Sequence, residues 1–297
     1  MVRHAQRHPV AAAWLAVGGL SVVVLLALGA TGVGGGEQTG AGLRWAVAGG
    51  LAAFAATSLG ALPALALQRI EQRLEDSLLG FAAGMMLAAS AFSLLLPGIE
   101  AANQLLEAKA AGAVVVIAGM ALGVGLMLGL DAFTPHEHGT GDRYGPDTRR
   151  LTGVWLFVFA IALHNLPEGM AIGVAFSRGD LAVGLPLASA IAIQDLPEGL
   201  AVALALKAAG LRRWPAVGIA AATGFLEPLG ALLGVGVASG LPLAYPIGLG
   251  LAGGAMLFVV SHEVIPQTHR NGHQTPATIG LMIGFGLMMV LDTTLGA

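Results

Sequence analysis

Residues 154–176 read VWLFVFAIALHNLPEGMAIGVAF. A bilayer core of about 30 Å takes roughly 20 apolar residues of helix to cross, and this run is long enough. Yet His164, Asn165 and Glu168 stand at its middle. A carboxylate at the bilayer centre costs at least about 2.5–3.5 kcal/mol. Either the run is not a membrane span, or it is a span whose carboxylate is protonated or neutralised by a bound cation. The rest of the chain decides between these.

Hydrophobic residues make up 56% of the chain and charged residues 10%, and the mean hydropathy is +0.80. Soluble domains carry about 25% charged residues, so a chain this poor in charge has an outside that faces lipid. Nine stretches are long and apolar enough to span: about 9–34, 41–67, 77–99, 111–134, 151–177, 181–206, 214–239, 242–265 and 275–297. Long unbroken runs exclude the alternating strands of a β-barrel. The 45 glycines suit helices that approach closely through small residues. The expected fold is an all-α membrane bundle, with residues 1–40 as a basic segment and extra N-terminal helix and 41–297 as the main domain. The first apolar run exceeds the 7–15 residues of a signal-peptide core and reads as a retained helix.

With the N-terminus inside, eleven of the 14 Lys and Arg fall on the inner side and only Arg44, Lys109 and Arg178 outside. That bias places the N-terminus in the cytoplasm and the C-terminus outside. One connection is long and polar, residues 135–150, and it reads as a flexible cytoplasmic loop carrying His136 and His138. A net charge of -3 gives no reason to expect nucleic acid. Cysteine is absent, so any metal must be held by His, carboxylate, amide or thioether groups.

Four acidic residues fall near span centres: Glu168, Asp195, Glu198 and Glu227. All the Lys and Arg are placed elsewhere, so two divalent ions would match four negative charges, a job that protonation of some of the carboxylates would also do. Asp131, Glu263 and Asp292 lie nearer span ends. The central string recurs, as His164-Asn165-Leu166-Pro167-Glu168-Gly169 and Gln194-Asp195-Leu196-Pro197-Glu198-Gly199. On a helix the first and fifth positions share a face, so each glutamate lies between an i−4 and an i−3 partner. That geometry suits a two-metal site bridged by Glu168 and Glu198. Imidazole, carboxylate and amide ligands suit Zn2+, Cd2+, Fe2+ or Mn2+ better than copper(I). Pro167 and Pro197 leave the carbonyls of Leu163 and Ile193 without donors, so each helix is expected to kink or open at its ligands. Kinked helices in corresponding positions point to a midplane binding site.

The two strings resemble the paired motifs of the fourth and fifth helices of the ZIP (Zrt/Irt-like) metal transporter family. The resemblance covers residues 41–297 and eight spans, with the N-terminal helix as an addition. It implies an eight-helix bundle with inverted repeats and import of zinc, cadmium or iron as transported substrate across the inner membrane. It further implies one metal site from His164, Glu168, Gln194 and Glu198, and a neighbour from Asn165, Asp195, Glu168, Glu198 and Glu227. Met86 is a candidate soft ligand, and His262 with Glu263 a candidate exit site. Many members carry His where this chain has Gln194, and a more neutral residue where it has Asp195, so the choice among metals stays open.

The alternatives are a metal sensor without flux and an intramembrane metalloprotease. The protease needs a second His four residues after the first, and His262-Glu263 is followed by Val264, Ile265 and Pro266. No enzymatic role and no prosthetic group are expected. The expected partners are the metal ions and the bilayer, and a homodimer stays open.

Overall fold

The computed structural model describes residues 9–32, 37–67, 70–106, 109–133, 136–137, 143–144, 153–208, 210–239 and 241–295. The N-terminal helix is α1 (Pro9–Gly32), followed by α2 (Glu37–Ala61). The next span is α3 (Gln72–Ala88), a π-helical stretch (Ala89–Leu95) and α4 (Leu96–Leu106). Then come α5 (Lys109–Phe133), α6 (Gly153–Phe176) and α7 (Leu181–Ala208). A broken span follows, α8 (Arg213–Thr223) and α9 (Leu226–Ala238). The chain ends with α10 (Ala244–Val259), a second π-helical turn (Val260–Val264), α11 (Ile265–His269) and α12 (Gln274–Leu295). Among the described residues eight helical spans are long and apolar enough to cross a membrane, and α6 occupies the one remaining predicted stretch, 151–177. The span built on α3 runs over 72–106 rather than the expected 77–99. Within the 135–150 connection, β1 (His136–Glu137) and β2 (Arg143–Tyr144) form a two-residue antiparallel pair.

The bundle is organised by an internal two-fold relation. The spans α2, α3–α4 and α5 correspond to α8–α9, α10–α11 and α12. The two sets lie five spans apart, an odd number, so they run in opposite directions. Neighbours exchange as the relation requires: α2 lies against α7 and α9 against α6, while α5 lies against α10 and α12 against α3. The sequence carries the same relation. Gly125-Leu126-Met127 with Leu130-Asp131 in α5 matches Gly286-Leu287-Met288 with Leu291-Asp292 in α12. Both π-helical stretches end two residues before a proline, Pro97 and Pro266. Each proline lacks the N–H that its helix would direct at Ser93 or His262. The wider turn re-uses the neighbouring N–H groups, with Leu96 bonding to Ala91 O and Ile265 to Val260 O.

Glycine decides how close these pairs come. A Cβ on Gly169 would sit 2.1 Å from the Glu227 carbonyl oxygen, and one on Gly173 2.0 Å from that of Ala231. In return Gly230 and Gly234 of α9 touch the carbonyls of Leu166 and Met170. The α3–α12 crossing repeats this with Gly80 and Gly84 against Gly280 and Gly284, and α5–α10 with Gly119 and Gly123 against Gly250 and Gly254. Lipid supplies no hydrophobic drive between helices, so backbone contact at glycines four apart is the main source of association. The large buried side chains, among them Met85, Leu94, Ile172, Phe176, Leu249 and Met256, fill the centre of the bundle. By contrast α1 lies outside against α5 and α9, with Val10, Val17, Leu20, Val23 and Val24 exposed.

One polar clamp ties α3 to the turn before α12. Asp76 is buried and accepts hydrogen bonds from Gln72 Nε2 (3.2 Å), Asn271 Nδ2 (3.0 Å) and His273 Nδ1 (2.9 Å). Asp76→Ala strands those donors and is expected to cost about 2–3 kcal/mol of stability. A fall in the thermal midpoint of the purified protein, largely recovered in Asp76→Asn, would show it.

Candidate metal centre

The repeated strings fall at the middle of α6 and α7, and the fold brings them face to face. Glu168, Asp195 and Glu198 each offer a carboxylate oxygen within 4.8 Å of the other two, and all three are buried. Gln194 Nε2 donates to Glu168 Oε1 at 2.5 Å, across the gap between the helices. The side chain of His164 lies outside the described residues.

Glu227 reaches Asn165 of α6 from α9. The span before it is interrupted around Gly224 and Phe225, so Glu227 sits in the first turn of α9, with its N–H bonded to Gly224 O at 3.0 Å. A carboxylate is favoured there by the helix dipole. Its Oε1 accepts from Asn165 Nδ2 (3.0 Å) and from the Thr57 hydroxyl (2.7 Å). Thr57 was not among the expected site residues. A threonine in an apolar span usually bonds the carbonyl four residues back, and its Oγ1 is indeed 3.3 Å from Ala53 O; nothing local announces a partner on α9.

The donor set is one-sided. Asn165 Oδ1, Glu168 Oε2, Gln194 Oε1, Asp195 Oδ2 and Glu227 Oε2 are all buried and have no hydrogen-bond partner among the described residues. A buried acceptor left unpaired costs about 1–3 kcal/mol, more when charged. Five in one place, all oxygens, are what a cation would satisfy and what a protein donor does not. The basic groups farther along the same spans are occupied elsewhere: Lys207 Nζ bonds the carbonyls of Ala64 and Leu67, just past α2, and the Arg178 guanidinium lies 4.1 Å over the Tyr245 ring. The oxygen-rich set, with Gln194 in place of an imidazole, accommodates borderline to hard divalent ions.

The sequence profile of the ZIP zinc transporters matches residues 132–292, which contain both strings and Glu227. The chain belongs to the ZIP zinc transporter family. It is 62% identical over 292 residues to the zinc transporter ZIPB of Bordetella bronchiseptica, covering 98% of this chain and 94% of that protein. That coverage leaves no room for α1 to lie outside the match. Zinc transporter GufA of Myxococcus xanthus is 42% identical over 247 residues, covering 83% of this chain and 97% of GufA. Zinc transporter ZupT of Corynebacterium glutamicum is 33% identical over 256 residues, covering 81% and 96%. With its apolar spans, this ZIP-family chain is a multi-pass integral membrane protein.

The remaining expected residues divide. Met86 is buried in α3 within the main apolar core. His262 and Glu263 do not join the midplane group. They sit on the π-helical turn at Val260–Val264, His262 exposed and stacked on Phe258 at 4.9 Å, with its Nε2 3.9 Å from Asp131 Oδ2. At the symmetry-related place Ser93 Oγ donates to Asp292 Oδ1 at 2.8 Å. Ser93 and His262 each precede their proline by four residues, so the two-fold relation pairs these contacts. His136 lies in β1 with its side chain outside the described residues, and His138 is outside them altogether.

Proposed function

We propose that this ZIP-family chain carries zinc across the inner membrane into the cytoplasm, through a two-ion site at mid-depth on α6 and α7. Glu168 and Glu198 are shared between the ions. His164 and Gln194 complete one site, and Asn165, Asp195 and Glu227 the other. Met86 supplies a soft thioether ligand, and His262 with Glu263 takes the ion as it leaves. Residues 41–297 form the transport domain, with α1 as an added outer helix, the N-terminus cytoplasmic and the C-terminus outside. Cadmium, iron(II) and manganese are accommodated by the same ligand types. The observation that carries the reading is the group of three buried carboxylates within 4.8 Å of one another.

The charge arithmetic supports two ions. Glu168, Asp195, Glu198 and Glu227 bring four negative charges, and two divalent cations neutralise them. Purified protein in liposomes is expected to accumulate zinc down an imposed gradient, with cadmium competing. Liposomes that bind zinc at the protein but never fill would make the chain a sensor and sink the transport reading.

Proton linkage follows from ligation. Carboxylates and imidazole bind metal only when deprotonated, so zinc binding should release protons and weaken as pH falls. In calorimetric titrations the apparent binding enthalpy should change with the ionisation enthalpy of the buffer. Zinc affinity that is constant between neutral and mildly acid pH would argue against these ligands.

A further inference from the structure

We propose that Thr57 is a positioning residue for the metal centre, setting where Glu227 presents its free oxygen relative to Glu198. The proposal rests on the two-ion reading above. Thr57 is buried on α2, where three spans meet. Its backbone carbonyl lies 2.1 Å from where a Cβ on Gly199 would be, so α2 touches α7 at the residue after Glu198. Its Cβ lies 2.9 Å from a Cβ built on Gly224, at the interruption just before Glu227. Its hydroxyl then reaches Glu227 Oε1 at 2.7 Å, a shorter contact than the 3.3 Å to Ala53 O.

The chemistry follows from counting donors. A threonine hydroxyl has a single proton, and the shorter contact directs it to Glu227. Asn165 Nδ2 donates to the same oxygen. Both donors therefore fall on Oε1, while Oε2 is buried with no protein partner among the described residues. Asn165 is itself one of the proposed ligands through Oδ1, so it moves with the ion. Thr57 is fixed by its backbone contact at Gly199 and is the stationary donor of the two. Without its proton, Glu227 keeps only the Asn165 donor and turns more freely about its own side-chain bonds. The separation between Glu227 and Glu198 is then no longer set by the α2–α7 contact. A hydroxyl gives this at small volume, and the β-branch restricts its rotation.

The test is zinc titration and liposome uptake with Thr57→Val, which keeps the shape and removes the proton. Thr57→Val is expected to raise the zinc Kd and the KM for uptake about five- to tenfold, with thermal stability in chelator close to that of the parent. Thr57→Ser should recover most of that loss. In a Glu227→Ala background Thr57→Val should add nothing, because the group it positions is gone. A Thr57→Val effect of equal size with and without Glu227 would overturn the proposal, as would a Kd unchanged by Thr57→Val while Glu227→Ala weakens binding. Should Glu227→Ala itself leave zinc binding untouched, the error lies in the metal centre, which separates the two failures.

Discussion

Glu168→Ala combined with Glu198→Ala is expected to abolish zinc uptake in liposomes and to weaken zinc binding by more than about a thousandfold. Loss of residues that merely orient metal ligands costs 10–100-fold in affinity; in the proposed two-ion site the double variant removes two ligands, each shared between ions, together. The variant also separates ligation from folding. In chelator, the parent holds Glu168, Asp195 and Glu198 as buried carboxylates within 4.8 Å of one another, an arrangement that like charges and desolvation oppose. Removing two of them should leave the metal-free thermal midpoint no lower than the packing loss of two small cavities requires. Saturating zinc should stabilise the parent by about 2.7 kcal/mol at a hundred times Kd and the variant not at all. Glu168→Gln with Glu198→Gln, which keeps volume, should behave the same way in zinc. A double variant that still gains stability from zinc would place the ion elsewhere.

Gly169→Ala is expected to be the most damaging single-carbon change at the site. The added Cβ would lie 2.1 Å from the Glu227 carbonyl oxygen and 2.7 Å from its Cα. Backbone cannot swing aside as a side-chain end can, so α6 and α9 must separate. The reciprocal contacts at Gly173, Gly230 and Gly234 lie on the same crossing and would be strained with it. Overpacking in a tight core costs about 1–3 kcal/mol. Because the displaced backbone is that of Glu227, zinc affinity should fall together with stability. Gly218 provides the contrast, since it lies in α8 with nothing within 4 Å of an added Cβ. Gly218→Ala should stabilise by up to about 1 kcal/mol through helix propensity alone. Thermal unfolding in detergent, with and without zinc, reads both. Equal effects at the two glycines would mean that close approach at Gly169 is not what the site needs.

Much of this was legible in the sequence, for definite reasons. The spans were, because 20-residue apolar runs have few other uses. The grouping of Glu168 with Glu198 was, because a repeated ligand string on adjacent helices constrains both register and face. The helical breaks were harder. Pro167 and Pro197 pointed to a kink or an opening at the ligands, and α6 and α7 run on as helices through both prolines. The interruption comes instead around Gly224 and Phe225, with Pro228 in the first turn of α9, where a proline displaces no helical hydrogen bond. The internal two-fold was written in Gly125–Asp131 and Gly286–Asp292, but short apolar strings recur by chance in such a composition, and only the exchange of helix partners makes the match meaningful. Thr57 and Asp76 could not be read at all. The partners that give them their roles, Glu227 for Thr57 and Asn271 and His273 for Asp76, lie 170 and 195 or more positions away, and contacts of that separation are products of the tertiary fold.

Crystals grown in zinc and measured at its absorption edge test the central claim most directly. Two anomalous peaks between α6 and α7 are expected, each flanked by Glu168 and Glu198, with Glu227 nearest the second. Zinc found only at the loops or at His262, with Glu168 and Glu198 turned apart into packing, would contradict the account.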